Sequence, residues 1–159
     1  MKNKKLIFMG SPRIASDYLK ELIKNNFLMS AVLSQPPKKK SRGMKIIESE
    51  VHQLASKNNI EVFCPNTFDR NTIKTVKNLN PDLIIVMAYG KILPKEILDL
   101  PVFGCINIHV SLLPRWRGAA PIEYSLINGD KETGISIIQL TDKLDACLLY
   151  TSPSPRDKT

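Results

Sequence analysis

Short apolar runs alternate with amphipathic stretches along most of this chain. Leu6-Ile7-Phe8-Met9 is a continuous apolar run stopped by Gly10, the mark of a strand buried on both faces. Gly10-Ser11-Pro12 turns the chain, and Ser11 is placed to cap a helix whose first position is Pro12. Ile14, Tyr18, Leu19 and Leu22 recur at helical spacing, with Lys20, Glu21 and Lys24 on the other side. The pattern predicts a strand over residues 28–33, a polar basic stretch over 34–45, and a helix marked by Ile46, Ile47, Val51, Leu54 and Ala55. A short strand over 61–63 is closed by Pro65, and 68–79 is helical through Ile73, Val76 and Leu79. Leu83-Ile84-Ile85-Val86-Met87 is the most hydrophobic run and predicts the central strand. A short proline-led helix over 94–98, a strand over 104–109, a helix over 119–127 ending at Gly129 and a strand over 135–140 complete the pattern.

This alternation predicts right-handed βαβ units, hence an α/β fold with a Rossmann-like, doubly wound, mostly parallel sheet. In such a sheet the ligand crevice lies beyond the carboxyl ends of the strands, so chemistry is sought just after them. The first βα turn carries one glycine, Gly10, and lacks the G-x-G-x-x-G of a dinucleotide site. No Walker A sequence is present, and a nicotinamide or flavin cofactor is not expected.

The 159 residues suit one domain, with ordinary hydrophobic (43%) and charged (24%) fractions. Aromatics are only 6%, so the core should be aliphatic. The net charge of +8 and pI near 9.5 favour a polyanionic partner, unless the lysines serve only solubility. Cys64, Cys105 and Cys147 are too scattered for a disulfide framework or a zinc site and suit a reducing cytosol. Cys105, in an apolar run, reads as a small buried hydrophobe, and His52 as a surface residue with no role. The apolar stretch after the basic start is too short for a signal peptide, and no run is long enough to span a bilayer. A cytoplasmic protein with no membrane partner is expected.

Asn107 and His109 lie two apart at the end of a predicted strand, so they share one face while Ile106 and Ile108 take the other. An amide donor beside an imidazole suits acyl transfer, with Asn donating to an oxyanion and His donating to it or relaying a proton. Taken alone, such a pair is equally a satisfied structural feature of a strand end. Ser111-Leu112-Leu113-Pro114-Arg115-Trp116-Arg117-Gly118-Ala119-Ala120-Pro121 follows directly. Asn107-Ile108-His109 with this segment closely resembles the signature of the methionyl-tRNA formyltransferases, within the folate-dependent formyltransferase family. Ile7–Pro12 and Ala88-Tyr89-Gly90-Lys91-Ile92-Leu93-Pro94 resemble that family's first turn and the loop after its central strand, so the likeness runs nearly to Asp145.

The resemblance implies formyl transfer from the co-substrate 10-formyltetrahydrofolate to the amino group of initiator methionyl-tRNA, with no metal. It implies Asn107, His109 and Asp145 as catalytic residues. Ser111, Leu112, Leu113 and Pro114 would contact folate, and Tyr89, Gly90, Ile92 and Leu93 would line the pterin pocket, largely through backbone groups. The basic segment SQPPKKKSRGMK, residues 34–45, holds Lys38, Lys39, Lys40, Arg42 and Lys45. Pro36-Pro37 disfavours helix there, and such a segment can hold phosphates or simply form a solvated charge cluster. The resemblance assigns it to the tRNA acceptor stem, with Arg42 as the main contact.

The family's catalytic Asp lies in an Asp-x-Gly sequence; here Asp145-Ala146 is followed by Cys147, which disfavours the angles that glycine allows. From Cys147 the sequence departs, and its Ser/Pro-rich 151–155 is expected to add nothing to a packed domain. The expected organisation is an incomplete catalytic domain over 1–146, truncated at its C-terminal end, and a non-native tail over 147–159. The family's smaller basic β-barrel domain would be absent, and a monomer is expected. Competing readings are a formyltransferase acting on a small amine (an amino sugar nucleotide or glycinamide ribonucleotide), a formyl-folate hydrolase, and a non-enzymatic RNA-binding module on the same scaffold.

Overall fold

The computed structural model describes residues 3–40, 45–141 and 147–155, so the expectations placed on Arg42 and Asp145 lie outside the described residues. The apolar runs become β1 (Leu6–Gly10), β2 (Met29–Leu33), β5 (Val62–Phe63), β6 (Leu83–Met87) and β7 (Cys105–His109). They form the parallel part of a seven-stranded sheet ordered β5-β2-β1-β6-β7-β8-β9. β8 (Glu132–Gln139) and β9 (Cys147–Pro155) close it antiparallel. The helices are α1 (Arg13–Lys24), α2 (Glu50–Lys57), α3 (Arg70–Asn78), α4 (Lys95–Leu98) and α5 (Pro121–Ile127).

Strand alternation divides the core between two faces. Leu6, Phe8, Val32, Ile85 and Met87 pack with Ala15 and Leu19 of α1 and Val51 and Ala55 of α2. Ile7, Met9, Leu33, Ile84 and Val86 pack with Val76 of α3 and Ile97 of α4. β1 and β6 are buried at every position, which is why they read as unbroken apolar runs. β8 instead alternates, with Gly134, Ser136 and Ile138 buried and their neighbours half-buried. That is the pattern of an antiparallel strand with one covered face. Among the described residues no helix is long and apolar enough to cross a membrane.

The chain runs from β1 outward to β2 and β5, then returns to β6 on the other side of β1. The order reverses between β1 and β6, so their carboxyl ends open a crevice. Gly10 is fitted tightly there: a Cβ on it would lie 2.8 Å from the Met87 carbonyl oxygen and 2.9 Å from Ala15 Cβ.

Three local expectations need correction. Ser11 does not cap α1, which starts after Pro12 with no side-chain cap; its Oγ instead accepts the Gln35 N–H at 3.1 Å. Ile46 and Ile47 do not open a helix. They lie in β4 (Lys45–Ile47), paired antiparallel with β3 (Lys38–Lys40), and are 71% and 37% exposed. α2 starts only at Glu50, where Ser49 Oγ accepts the His52 N–H at 3.0 Å. Against the expectation that the Ser/Pro-rich 151–155 adds nothing to a packed domain, these residues belong to β9 along β8. Pro153 and Pro155 fit because β9 is the outermost strand, where a missing N–H breaks no inner ladder.

Candidate active site

β7 runs beside β6 with Asn107 opposite Val86, so residues 88–90 leave the sheet next to His109. Cys105 belongs to the core on the α3–α4 face, while Ile106 and Ile108 pack into the other. Period-two alternation puts Asn107 and His109 on the Cys105 face, as their spacing predicts. Asn107 is half-buried and His109 is buried. His109 Nε2–H donates to the Trp116 carbonyl at 2.9 Å. A carbonyl can only accept, so the ring proton sits on Nε2 and Nδ1 is left for other chemistry.

The segment that follows folds back on itself around two residues absent from the expected site, Ser136 and Asp130. Ser136, fully buried on β8, donates to the Ser111 carbonyl at 2.7 Å and accepts the Leu113 N–H at 3.1 Å. Ser111 is itself fully buried, and its hydroxyl donates to the Arg115 carbonyl at 2.8 Å. Asp130 accepts the Trp116 Nε1–H at 2.5 Å and Arg115 at 2.8 Å. Trp116 stacks on the Tyr124 ring at 5.6 Å, and the Arg115 guanidinium lies over the Trp116 ring at 4.8 Å. Leu112, Arg115, Trp116 and Asp130 line a cavity of about 340 Å³ with residues 131–133. Leu113 is half-buried and Pro114 exposed.

The loop after β6 presents some candidates and withdraws others. Ile92 is 92% exposed and Gly90 is exposed, whereas Leu93 and Tyr89 are buried in the core. Tyr89 packs edge-on to Phe68, its hydroxyl has no hydrogen-bond partner among the described residues, and burial pushes its pKa up to about 12 with nearby Cys64 adding to the rise. Gln35 Nε2 donates to the carbonyls of Tyr89 at 2.9 Å and Gly90 at 3.3 Å. On the far side Lys91 Nζ donates to the carbonyls of Pro65 and Asn66. Partial burial lowers the Lys91 pKa; Cys64 opposes this and Lys38 adds to it.

The basic segment is an antiparallel ribbon rather than an open loop: β3 carries Lys38, Lys39 and Lys40, and Lys45 begins β4. Lys38 is exposed. The ribbon is joined to the carboxyl end of β2, the same edge as the crevice. His52, expected on the surface, is only 19% exposed; its Nδ1 lies 3.4 Å from Cys64 Sγ and its Nε2 3.5 Å from Glu48. Burial first, then Glu48, raises the Cys64 thiol pKa, with Lys91 opposing. Cys105 is buried as expected, its thiol 3.7 Å from the Ile97 carbonyl.

No local pattern announces Gln35, Ser136 or Asp130, because their partners lie 54, 25 and 14 positions away. The Asp130 contacts do leave one trace, an acidic residue just past the Gly129 helix stop, but nothing in the sequence names its partners.

A protein-family model described as formyl transferase matches residues 4–152. The methionyl-tRNA formyltransferase of Clostridioides difficile (strain 630) is 49% identical over 142 residues, covering 89% of this chain and 46% of that protein. The methionyl-tRNA formyltransferase of Prochlorococcus marinus (strain MIT 9215) is 50% identical over 143 residues, covering 89% and 44%. The phosphoribosylglycinamide formyltransferase structure from Streptococcus pneumoniae TIGR4 aligns with TM-score 0.75 at 20% identity, covering 100% of this chain and 86% of that one. Its counterpart from Anaplasma phagocytophilum aligns with TM-score 0.77 at 24% identity, covering 99% and 76%. At those identities the solved structures speak to the fold alone. The chain spans less than half the length of the curated relatives it matches. With a family match running over residues 4–152, this chain belongs to the formyl transferase family.

Proposed function

We propose that this chain is the catalytic part of a methionyl-tRNA formyltransferase, moving a formyl group from 10-formyltetrahydrofolate to the amino group of initiator methionyl-tRNA. The observation that carries the reading is the Asn107–His109 pair on one face of β7, at the carboxyl edge and beside the loop after β6. The identity of 47–50% to proteins of that name supports the choice of acceptor. So does the lysine ribbon at the same edge of a chain carrying +8. Ile92 and Gly90 on one side, and Leu112 and Pro114 on the other, are the accessible folate candidates.

In this reading the methionyl amine attacks the formyl carbon, and its lone pair forms the new C–N bond. The former carbonyl oxygen takes the negative charge, and the Asn107 amide donates to it. His109 has its Nε2–H committed to the Trp116 carbonyl, so Nδ1 is the nitrogen left to exchange a proton, in one of two states. A neutral ring accepts the proton released by the attacking amine at Nδ1; a doubly protonated ring donates from it to the oxyanion. The oxyanion's electron pair re-forms the C=O bond as the C–N bond to folate breaks, and the proton lost by the attacking amine ends on the folate nitrogen, leaving formyl-methionyl-tRNA and tetrahydrofolate. Asp145 is assigned the negative charge that offsets the positive charge forming on the imidazole during the transfer.

The test is formyl transfer by the full-length protein and by Asn107→Ala and His109→Ala variants. Loss of one oxyanion donor lowers kcat by about 100- to 1000-fold. Near-wild-type turnover in either variant rejects the assignment. Transfer to a small amine but not to methionyl-tRNA rejects the acceptor.

A further inference from the structure

Gln35 lies in no recognised motif, yet it touches two of the loops at the crevice and opens the segment that carries the ribbon. Its backbone N–H donates to Ser11 Oγ at 3.1 Å, in the turn after β1. Its side-chain amide reaches across to the carbonyls of Tyr89 and Gly90, at 2.9 and 3.3 Å. A carboxamide nitrogen carries two N–H donors, which matches two carbonyl acceptors. The turn it grips is an unusual one: Ala88 and Gly90 both have positive φ, at 47° and 75°. A non-glycine residue in that region persists only where its surroundings hold it there. Gly90 is shaped to the grip as well, since a Cβ on it would lie 2.6 Å from Gln35 Nε2.

The direction of the grip has a consequence for ligands. In a planar trans peptide the C=O and the following N–H point opposite ways. Turning the Tyr89 and Gly90 carbonyls towards Gln35 therefore aims the Gly90 and Lys91 N–H groups away from it. Among the described residues neither of these amides has a backbone acceptor. Two neighbouring donors on a held turn suit a heterocycle that carries acceptors.

We propose that Gln35 is a positioning residue for the folate heterocycle: by holding the Tyr89 and Gly90 carbonyls it aims the Gly90 and Lys91 amides at the ligand. The proposal rests on the reading above, in which this loop faces 10-formyltetrahydrofolate. The test uses Gln35→Leu and Gln35→Glu in the full-length protein. Both remove the amide donors, and the ionised glutamate also sets a carboxylate against two carbonyl oxygens. KM for 10-formyltetrahydrofolate rises about tenfold in both, the effect of losing one to two hydrogen bonds. Turnover at saturating folate and KM for methionyl-tRNA stay within about twofold. Lowering the pH towards about 5 restores folate KM in Gln35→Glu alone, measured against wild type at each pH, because the protonated acid regains one donor. Hydrogen exchange of amides 88–93 without ligand quickens about tenfold in both variants. Unchanged folate KM, or an equal rise for both substrates, overturns the proposal. If the wild type transfers no formyl group from folate, the functional reading falls, and unchanged exchange at 88–93 would separately overturn the grip.

Discussion

Replacing Asp130 by alanine removes the partner of the Arg115 and Trp116 side chains, in the segment whose Trp116 carbonyl holds His109. The Trp116 Nε1–H meets the carboxylate at 2.5 Å, a charge-assisted bond of about 1.5–3 kcal/mol. The Arg115 ion pair adds little, about 0–1 kcal/mol, because Arg115 is 62% exposed and screened by water. The variant should therefore lose about 1.5–4 kcal/mol of stability, most of it from the indole bond. The functional effect travels through the backbone. The Trp116 carbonyl holds His109 Nε2–H at 2.9 Å, so a released indole shifts the acceptor that sets the imidazole. A displacement of about 1 Å at a reacting group costs on the order of 100-fold in rate. Trp116 is the chain's single tryptophan, so its fluorescence reports this loop alone in the 159-residue chain. Emission should shift to the red in Asp130→Ala and less in Asp130→Asn, which keeps an acceptor for the indole. In the full-length protein, kcat should fall by about 10- to 100-fold, with smaller changes in either KM. Unshifted emission with wild-type turnover in Asp130→Ala would refute this chain of contacts.

Ser136→Ala should destabilise the protein by about 2–3 kcal/mol in urea unfolding, because it strands the Ser111 carbonyl and Leu113 N–H. A loss below about 0.5 kcal/mol would mean that water replaces the hydroxyl there. Cys105, its thiol pushed up to about 12 by burial with Asp99 adding, should resist alkylation at neutral pH. Cys64, also raised by burial, should react more slowly than a free thiol, and both should react freely in denaturant. Site-resolved mass spectrometry reads each position, and fast native labelling of Cys105 would contradict its burial.

The sequence made the sheet legible where burial is two-sided. β1 and β6 announce themselves because every position is covered, leaving no polar residue to blur the run. The Asn107–His109 face was legible for the opposite reason, since alternation by two leaves only one side for both. The basic ribbon was not, because Ile46 and Ile47 mimic the start of a helical stripe while remaining exposed. Ser49 followed by Glu50 was the better local sign of where α2 starts. Ser11 looked like a cap because hydroxyls cap helices, but a competing donor, the Gln35 N–H, claims it. Ser136, Asp130 and Gln35 act across the fold, so their importance depends on topology that no local window contains.

The tight seat of Gly10 bears on how sequence variation in this family should be read. Any side chain there would press on the Met87 carbonyl and on Ala15, whatever substrate the protein takes. A glycine kept at this position across many relatives would therefore testify to the closeness of β1, β6 and α1, and would say nothing about chemistry. Libraries meant to alter the acceptor would waste diversity at Gly10.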